Sequence, residues 1–276
     1  MMDRDDLRAA VGAGIVTEAQ AASLASLADS RRGARTDLTS GDEPFELFRG
    51  FNEVFIIIGL LILAVGWTSV VGISYATNIT NPQQAAMLYG SIGTMFIWGM
   101  SEYFIRHRRM VGPAIALSTL FTVNAAIALT AYFAQPFMVV QQDYGSLPLP
   151  FILGTIALGI FWYRFRVPFA MAMIAVGFFI VAILMAATSQ GTPQDPSDLF
   201  LLSAGGPFAW ITLVVGLAVF ALAMAFDMSD PHRVTRRSTN GFWLHVVAAP
   251  ALVNTLALTL LAVSYTHLRA HETRLN

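Results

Sequence analysis

The stretch 227–250 reads Asp-Met-Ser-Asp-Pro-His-Arg-Val-Thr-Arg-Arg-Ser-Thr-Asn-Gly-Phe-Trp-Leu-His-Val-Val-Ala-Ala-Pro. It is a short basic loop that joins two long apolar runs, one ending near Asp227 and one beginning near Phe242. An apolar run of about 20 residues is long enough to cross the hydrocarbon core of a bilayer as a helix. The stretch therefore predicts a hairpin of two membrane-spanning helices whose connection is positively charged.

The composition of the whole chain also indicates a membrane protein. Of the 276 residues, 56% are hydrophobic and 12% are charged, whereas soluble domains average about 25% charged residues. The chain contains no cysteine, which excludes disulfides, thiol nucleophiles and thiolate metal sites. We expect no signal peptide, because the first fifty residues are polar and lack an apolar core segment.

We expect an all-α fold: a polytopic transmembrane helix bundle with about seven spans in this sequence. Helices are expected because a segment in lipid must satisfy its own backbone hydrogen bonds. The predicted spans lie near 54–74, 85–105, 111–134, 149–165, 168–188, 208–227 and 242–262.

The loops between these spans alternate in charge, and this alternation predicts the orientation. Arginines lie in the loops 106–110, 164–167 and 228–241. The intervening loops, 75–84, 135–148 and 189–207, contain neither lysine nor arginine. By the positive-inside rule the basic loops face the cytoplasm. We therefore expect a bacterial inner-membrane protein with a cytoplasmic N-terminus, and an eighth span in the complete protein because the seventh ends outside.

Residues 1–50 are predicted to form a cytosolic helical hairpin and a linker. A first helix is expected over Asp3–Val11. Thr17 and Gln20 then have the spacing of a capping box, which predicts a second helix ending near Arg32. Two short helices bury little apolar surface, so the hairpin is expected to lean on the bundle or on a partner. A regulatory role is the alternative.

The last residues, 263–276, read Val-Ser-Tyr-Thr-His-Leu-Arg-Ala-His-Glu-Thr-Arg-Leu-Asn. The run to Thr273 resembles the translation of a transposase-based sequencing adapter. We therefore expect an artefactual tail that follows a bundle of residues 51–262. A short native polar tail is the alternative.

Ionisable groups at the ends of spans are candidates for function, because placing a charge in a bilayer costs free energy. Glu53, Glu102, Asp227 and His245 all lie near the predicted cytoplasmic boundary, and none lies at mid-bilayer. If the four side chains face one another, they form a polar vestibule that could admit a proton or a cation.

Each of these groups also has a simpler, local explanation. Glu102 lies four residues before Arg106, which is the spacing of an ion pair on one helix. Asp227 can pair with Arg233 or Arg236 in the adjoining loop. The imidazole of His245 can form a hydrogen bond with a neighbouring helix or a carbonyl.

Small and amide side chains deeper in the spans are expected to join helices. Asn124 and Asn254 lie within spans, where such amides usually form interhelical contacts of roughly 0.6–2 kcal/mol. Lining a substrate path is their alternative role. Close helix approaches are predicted at several glycines: Gly90, Gly93, Gly154, Gly159 and Gly177.

Motifs that would define an enzyme are absent from the sequence. It contains no G-x-S-x-G elbow, no H-E-x-x-H zinc motif and no phosphate-binding loop. We expect no catalytic residue, no cofactor, no metal site and no nucleic-acid partner. The expected partner is the lipid bilayer, and a second copy or another membrane protein remains open.

Short sequence segments before the first span and around the start of the seventh resemble segments of other proteins. The first is Arg49-Gly50-Phe51-Asn52, before the first span; the second is Arg233-Val-Thr-Arg-Arg-Ser, with Phe242-Trp-Leu-His-Val-Val-Ala-Ala-Pro in the seventh. In these segments the chain resembles uncharacterised proteobacterial integral-membrane proteins that have a short cytosolic helical segment ahead of paired spans. The resemblance implies a multi-span membrane protein over residues 10–262, with no activity and no site residues.

Three hypotheses for the function follow from these patterns. The first is a non-catalytic membrane scaffold or sensor-like protein, which fits the lack of charge at mid-membrane. The alternative is a small-solute or ion transporter or channel with a polar vestibule on the cytoplasmic side. A membrane-embedded enzyme is disfavoured by the missing motifs. The position of the four ionisable side chains discriminates among them, since a shared water-filled cavity favours transport or an enzyme and separate locations favour a scaffold.

Overall fold

The structure is a computed structural model that describes most of the chain. The described residues are 4–36, 51–77, 81–136, 138–141, 143–193, 195–230 and 235–275. The predicted linker beyond residue 36 lies outside them, as does Arg233, one of the two arginines expected to pair with Asp227.

All regular secondary structure in these residues is helical, which confirms the all-α fold class. The α-helices are α1 (Arg4–Gly12), α2 (Glu18–Thr36), α3 (Phe51–Thr77), α4 (Pro82–Ser101), α5 (Gly112–Phe133), α6 (Met138–Gln141), α7 (Pro148–Phe165), α8 (Pro168–Gln190), α9 (Phe208–Ser229) and α10 (Arg236–Leu275). A π-helical turn, Glu102–His107, extends α4, and two 3-10 turns, Pro196–Leu199 and Leu202–Ala204, lie between α8 and α9.

Helices α1 and α2 are separated by a short turn, as predicted for the N-terminal segment. Thr17 N donates a hydrogen bond to Gln20 Oε1 (2.9 Å), and Gln20 N donates one to Thr17 Oγ1 (3.3 Å). This reciprocal pair is the predicted capping box at the start of α2. Ile15, Leu24 and Leu27 remain exposed, so the segment leaves apolar surface uncovered.

Six of the described helices are long and apolar enough to cross a membrane: α3, α5, α7, α8, α9 and α10. The predicted span 85–105 corresponds to α4 and the π-helical turn. Helix α4 falls short in apolarity because it begins Pro82-Gln83-Gln84 and carries several glycines and serines. The predicted count of seven or eight spans is therefore not confirmed by length and composition.

Helix α4 nevertheless runs the length of the bundle, antiparallel to α3 and α5. Near its start, Gln83 Nε2 donates to Ala131 O, close to the end of α5 (2.7 Å), and Tyr89 OH lies 2.7 Å from Ser74 Oγ in the last turn of α3. At the opposite end, the start of α3 contacts the start of α5 through Glu53 and Gly112. The chain thus returns along α4 between these two spans.

Proline defines the start of several of these helices. It occupies a first-turn position in α4, α5, α7 and α8. Proline fits there because its backbone nitrogen has no hydrogen to leave unpaired and its φ already suits a helix. Before α8, the chain turns in two residues, Arg166 and Val167, with Arg166 in the left-handed region at φ 52°.

Helix α10 is longer than the predicted seventh span at both ends. It begins at Arg236, because Asp230 and Thr235 cap it: Asp230 Oδ2 accepts from Thr235 N (2.7 Å), and Thr235 Oγ1 accepts from Arg237 N (3.1 Å). Its helical backbone continues to Leu275, through the segment predicted to be a foreign tail.

Two apolar clusters hold the spans together. In the first, aromatic rings from α4, α5 and α7 meet: the Phe121 and Phe161 centroids are 4.7 Å apart, and those of Trp98 and Phe165 are 5.0 Å apart. The second joins α8, α9 and α10 through smaller side chains: Met171, Ala175, Val219, Ala223, Leu244 and Ala248. Small residues allow the helices of the second cluster to approach closely.

Candidate functional site

Glu53, in the first turn of α3, is buried and holds the start of α5. Its Oε2 accepts a hydrogen bond from Gly112 N at 2.9 Å. The first amides of a helix lack intrahelical acceptors, and the helix dipole favours a negative charge beside them. Glu53 is therefore a cap for α5 supplied by another helix, which accounts for a carboxyl side chain that is only 5% exposed.

Glu102 connects the π-helical turn to the end of α7. Its Oε2 pairs with Arg106 Nη1 at 3.1 Å, the ion pair that the i,i+4 spacing predicts. Its Oε1 also pairs with Arg164 Nη2 at 2.8 Å, a contact between distant parts of the chain. The side chains of Glu102 and Arg164 are 34% and 38% exposed, so solvent screens this pair and its contribution to stability is small.

Asp227 and His245 join the end of α9 to the third turn of α10. The His245 Nε2 atom lies 2.9 Å from Asp227 Oδ2, and both side chains are partly exposed. The imidazole and the Phe220 ring make a T-shaped contact, with centroids 5.4 Å apart. The carboxylate thus pairs with a histidine on the next helix. Arg236, one of the two arginines expected to pair with Asp227, donates from Nη1 to Arg166 O (3.3 Å).

Gly241 makes this pair possible. A Cβ at this position would lie 2.6 Å from Asp227 Oδ1 and 3.2 Å from the backbone oxygen of Ala223. Any side chain at residue 241 would therefore push α9 and α10 apart or displace the carboxylate from His245.

The four predicted vestibule residues lie at the same end of the bundle, which we call the basic end and define by the turns 102–111 and 166–167 and by Asp230 and Thr235, which precede α10. Hydrogen bonds and ion pairs connect these turns, as described above for Arg164 and Arg236. Within the described residues, Asp227 contacts His245, but no hydrogen bond or ion pair links this pair to Glu53 or Glu102. A vestibule shared by all four stays a prediction.

The two intramembrane asparagines differ in environment. Asn124 on α5 is buried, and its Nδ2 donates to Leu120 O at 2.9 Å. Its Oδ1 lies against Gly93 on α4, so this glycine gives the amide its space. Asn254 on α10 is exposed on the surface of the bundle. The structure therefore does not bring the two amides together.

A large cavity lies between α3 and the α4–α5 pair. Its volume is about 1040 Å³, and its wall is almost entirely apolar. The few polar side chains in that wall are Trp67, Thr68, Tyr89 and Asn124. Neither Asn254 nor any of the four ionisable candidates belongs to it.

No protein-family profile, curated protein or solved structure matches this chain. Function must therefore be argued from the geometry alone. In the described part of the chain, no group of three or more acidic or histidine side chains is placed to hold a metal ion.

Sequence reasoning missed three residues that shape the basic end: Arg164, Asp230 and Gly241. Arg164 was visible as a loop charge, but its partner is 62 residues away along the chain, so no local spacing predicts it. Thr235 directly precedes α10, and a threonine in this place is a readable N-cap signal, whereas the contact of Asp230 with Thr235 is not. The need for glycine at residue 241 depends on where α9 passes, which the sequence does not indicate.

Proposed function

We propose that this chain is a non-catalytic, multi-span protein of a bacterial inner membrane with a scaffold or sensor-like role. One observation carries the proposal: each candidate ionisable group has a structural partner at a helix end. Glu53 caps α5, Glu102 pairs with Arg106 and Arg164, and Asp227 pairs with His245. Groups used in this way join helices, and the large cavity contributes no charged side chain to an ion path.

The proposed topology has seven spans, with α4 as the second. Its antiparallel course relative to α3 and α5 supports this assignment despite its modest apolarity. If α4 crosses, the N-terminus and the three basic turns lie on the same side, and the positive-inside rule makes that side cytoplasmic. If α4 does not cross, the N-terminus lies opposite the basic turns. The eighth span of a complete protein stays a prediction.

Proton or cation transport is the second candidate, and the Asp227–His245 pair is the observation that favours it. A carboxylate beside an imidazole, both partly exposed at the membrane boundary, can exchange protons with water. Transport also needs a polar route beyond this pair, and the described contacts supply none that reaches the buried Asn124.

A flux assay separates the two candidates. The full chain would be reconstituted into liposomes that enclose a pH-sensitive dye, and a proton gradient would be applied with potassium and valinomycin present. If the protein is a scaffold, we expect the same rate of proton flux as in protein-free liposomes. Faster flux that Asp227→Asn abolishes, while Glu102→Gln leaves it intact, would replace the scaffold proposal with transport. Gel filtration of each variant controls for folding.

A further inference from the structure

The apolar cavity beside α3 is accessible from the bilayer. Helix α3 packs loosely: only 6% of its most apolar stretch is buried, although this stretch has one of the highest hydropathies among the spans. Exposed side chains such as Leu61, Leu63 and Val70 lie along the same helix. A ligand can therefore enter laterally from the lipid phase.

One hydrogen-bond donor and one acceptor lie close together in the wall of this cavity, deep in the spans. A Cβ at residue 93 would collide with Asn124 Oδ1 and lie 3.1 Å from Trp67 Nε1, so an acceptor and a donor both face the space above Gly93. The Nδ2 group of Asn124 is already bonded to Leu120 O, which leaves its Oδ1 as the acceptor on that side. The other two polar side chains of the wall already have partners: Thr68 Oγ1 donates to Ala64 O (3.0 Å), and Tyr89 OH lies 2.7 Å from Ser74 Oγ. Near Gly93 the wall thus offers one donor and one acceptor.

The chemistry of the wall selects the class of ligand. None of the described residues that line the cavity is charged, so a ligand with a net charge would lose its hydration without gaining a counter-charge. The volume of about 1040 Å³ is at the upper end of the range for small-molecule sites, roughly 300–1,000 Å³. Such a site fits a long hydrocarbon chain with one uncharged polar group.

We propose that this cavity binds an uncharged, long-chain amphiphile whose hydroxyl or carbonyl group meets Asn124 Oδ1 and Trp67 Nε1. The hydrocarbon part lies along the apolar wall of α3 and α4. This inference rests on the membrane-spanning bundle proposed above, but not on its scaffold role, and it names a ligand class that a sensor would detect.

Photolabelling tests the proposal directly. The full chain in lipid nanodiscs would be irradiated with hexadecanol carrying a mid-chain diazirine, and labelled peptides would be mapped by mass spectrometry. We expect labels on α3, α4 and α5 around the cavity. Unlabelled hexadecanol should compete several-fold better than hexadecane, because only the alcohol forms the hydrogen bonds. Equal competition by the two would overturn the proposed polar recognition.

Glycine variants provide a matched pair for the same assay. Gly66 and Gly72 line the cavity, and a Cβ at either position meets nothing within 4 Å, so Gly66→Phe and Gly72→Phe begin in open space and are designed to fill the cavity. We expect each to reduce site labelling at least tenfold, which corresponds to about 1.4 kcal/mol. Gly59→Phe is the control, because residue 59 is also open, lies on the same helix and is outside the cavity.

The polar pair is tested with Asn124→Leu, which keeps the approximate volume and removes the acceptor. The preference for hexadecanol over hexadecane should fall about three- to tenfold, as expected for the loss of one hydrogen bond. Labelling that is spread over all lipid-facing helices and unaffected by Gly66→Phe or Gly72→Phe would show that bulk lipid alone fills the groove. Such a result would overturn the site but leave the flux assay, and hence the scaffold proposal, unaffected.

Discussion

At the scale of single residues, glycine determines how closely the spans approach. Of the glycines expected at helix contacts, Gly90 and Gly177 lie against neighbouring helices: a Cβ would come within 2.8 Å of Ala128 N at residue 90 and within 2.5 Å of Thr155 Oγ1 at residue 177. Gly159 faces open space. The residue type therefore predicts that close contacts occur, but not which glycine makes them.

Gly241→Ala should destabilise the protein by about 1–3 kcal/mol, because its Cβ would overpack the space held by Asp227 Oδ1 and the Ala223 carbonyl. The measurement is the free energy of unfolding in a denaturing detergent titration. Gly99→Ala is the matched control: its Cβ meets nothing within 4 Å, and alanine is the better helix former by up to about 1 kcal/mol. Opposite signs are expected for the two variants, and equal effects would refute the steric argument.

At the scale of elements, polar groups at helix ends connect spans that are distant in sequence. Glu53 links α3 to α5 across 59 residues, and Glu102 links the π-helical turn to α7 across 62. The first contact is buried and the second is partly exposed. Because water screens exposed charges, the Glu53 contact should contribute more to holding α5 in position than the Glu102 contact contributes to holding α7.

Glu53→Ala should lower the free energy of unfolding by about 1–3 kcal/mol, since it leaves the Gly112 amide without its acceptor in a buried place. Glu53→Gln keeps a side-chain oxygen at the same distance and should recover most of this loss. Thermal unfolding, monitored by gel filtration of heated samples, compares the two variants with the unaltered protein. If the glutamine variant is as unstable as the alanine variant, the negative charge and not the hydrogen bond is the stabilising feature.

At the scale of the whole molecule, the path of α4 determines on which side the N-terminus lies. Single cysteines can report it without background, because the natural chain has none. We expect Ala22→Cys and His107→Cys to react with a membrane-impermeant maleimide only after cells are permeabilised. Gln84→Cys and Ser203→Cys should react in intact cells. All four positions are exposed in the structure. Opposite sides for residues 22 and 107 would show that α4 does not cross.

Much of this architecture could be predicted from the sequence, because bilayer insertion depends on local quantities. The apolar run of α3 and the Thr17–Gln20 capping box each lie in one continuous segment, and so does the Glu102–Arg106 pair. Backbone hydrogen bonding in lipid then leaves helix as the only structure for an isolated span. The all-α fold class could therefore be predicted, and the structure confirms it. The composition of α4 leaves the span count open.

The tertiary structure alone decided which residues meet across helices. The sequence placed Asp227 beside arginines of its own loop, and the packing of α9 on α10 over Gly241 adds a contact with His245 that no local spacing predicts. It offered Asn124 and Asn254 as equivalent amides, yet Asn124 lines the cavity beside α3 and Asn254 does not. Helical periodicity in a span that is apolar all round does not show which face turns inward, and the choice of face depends on the shapes of neighbouring helices far away in sequence.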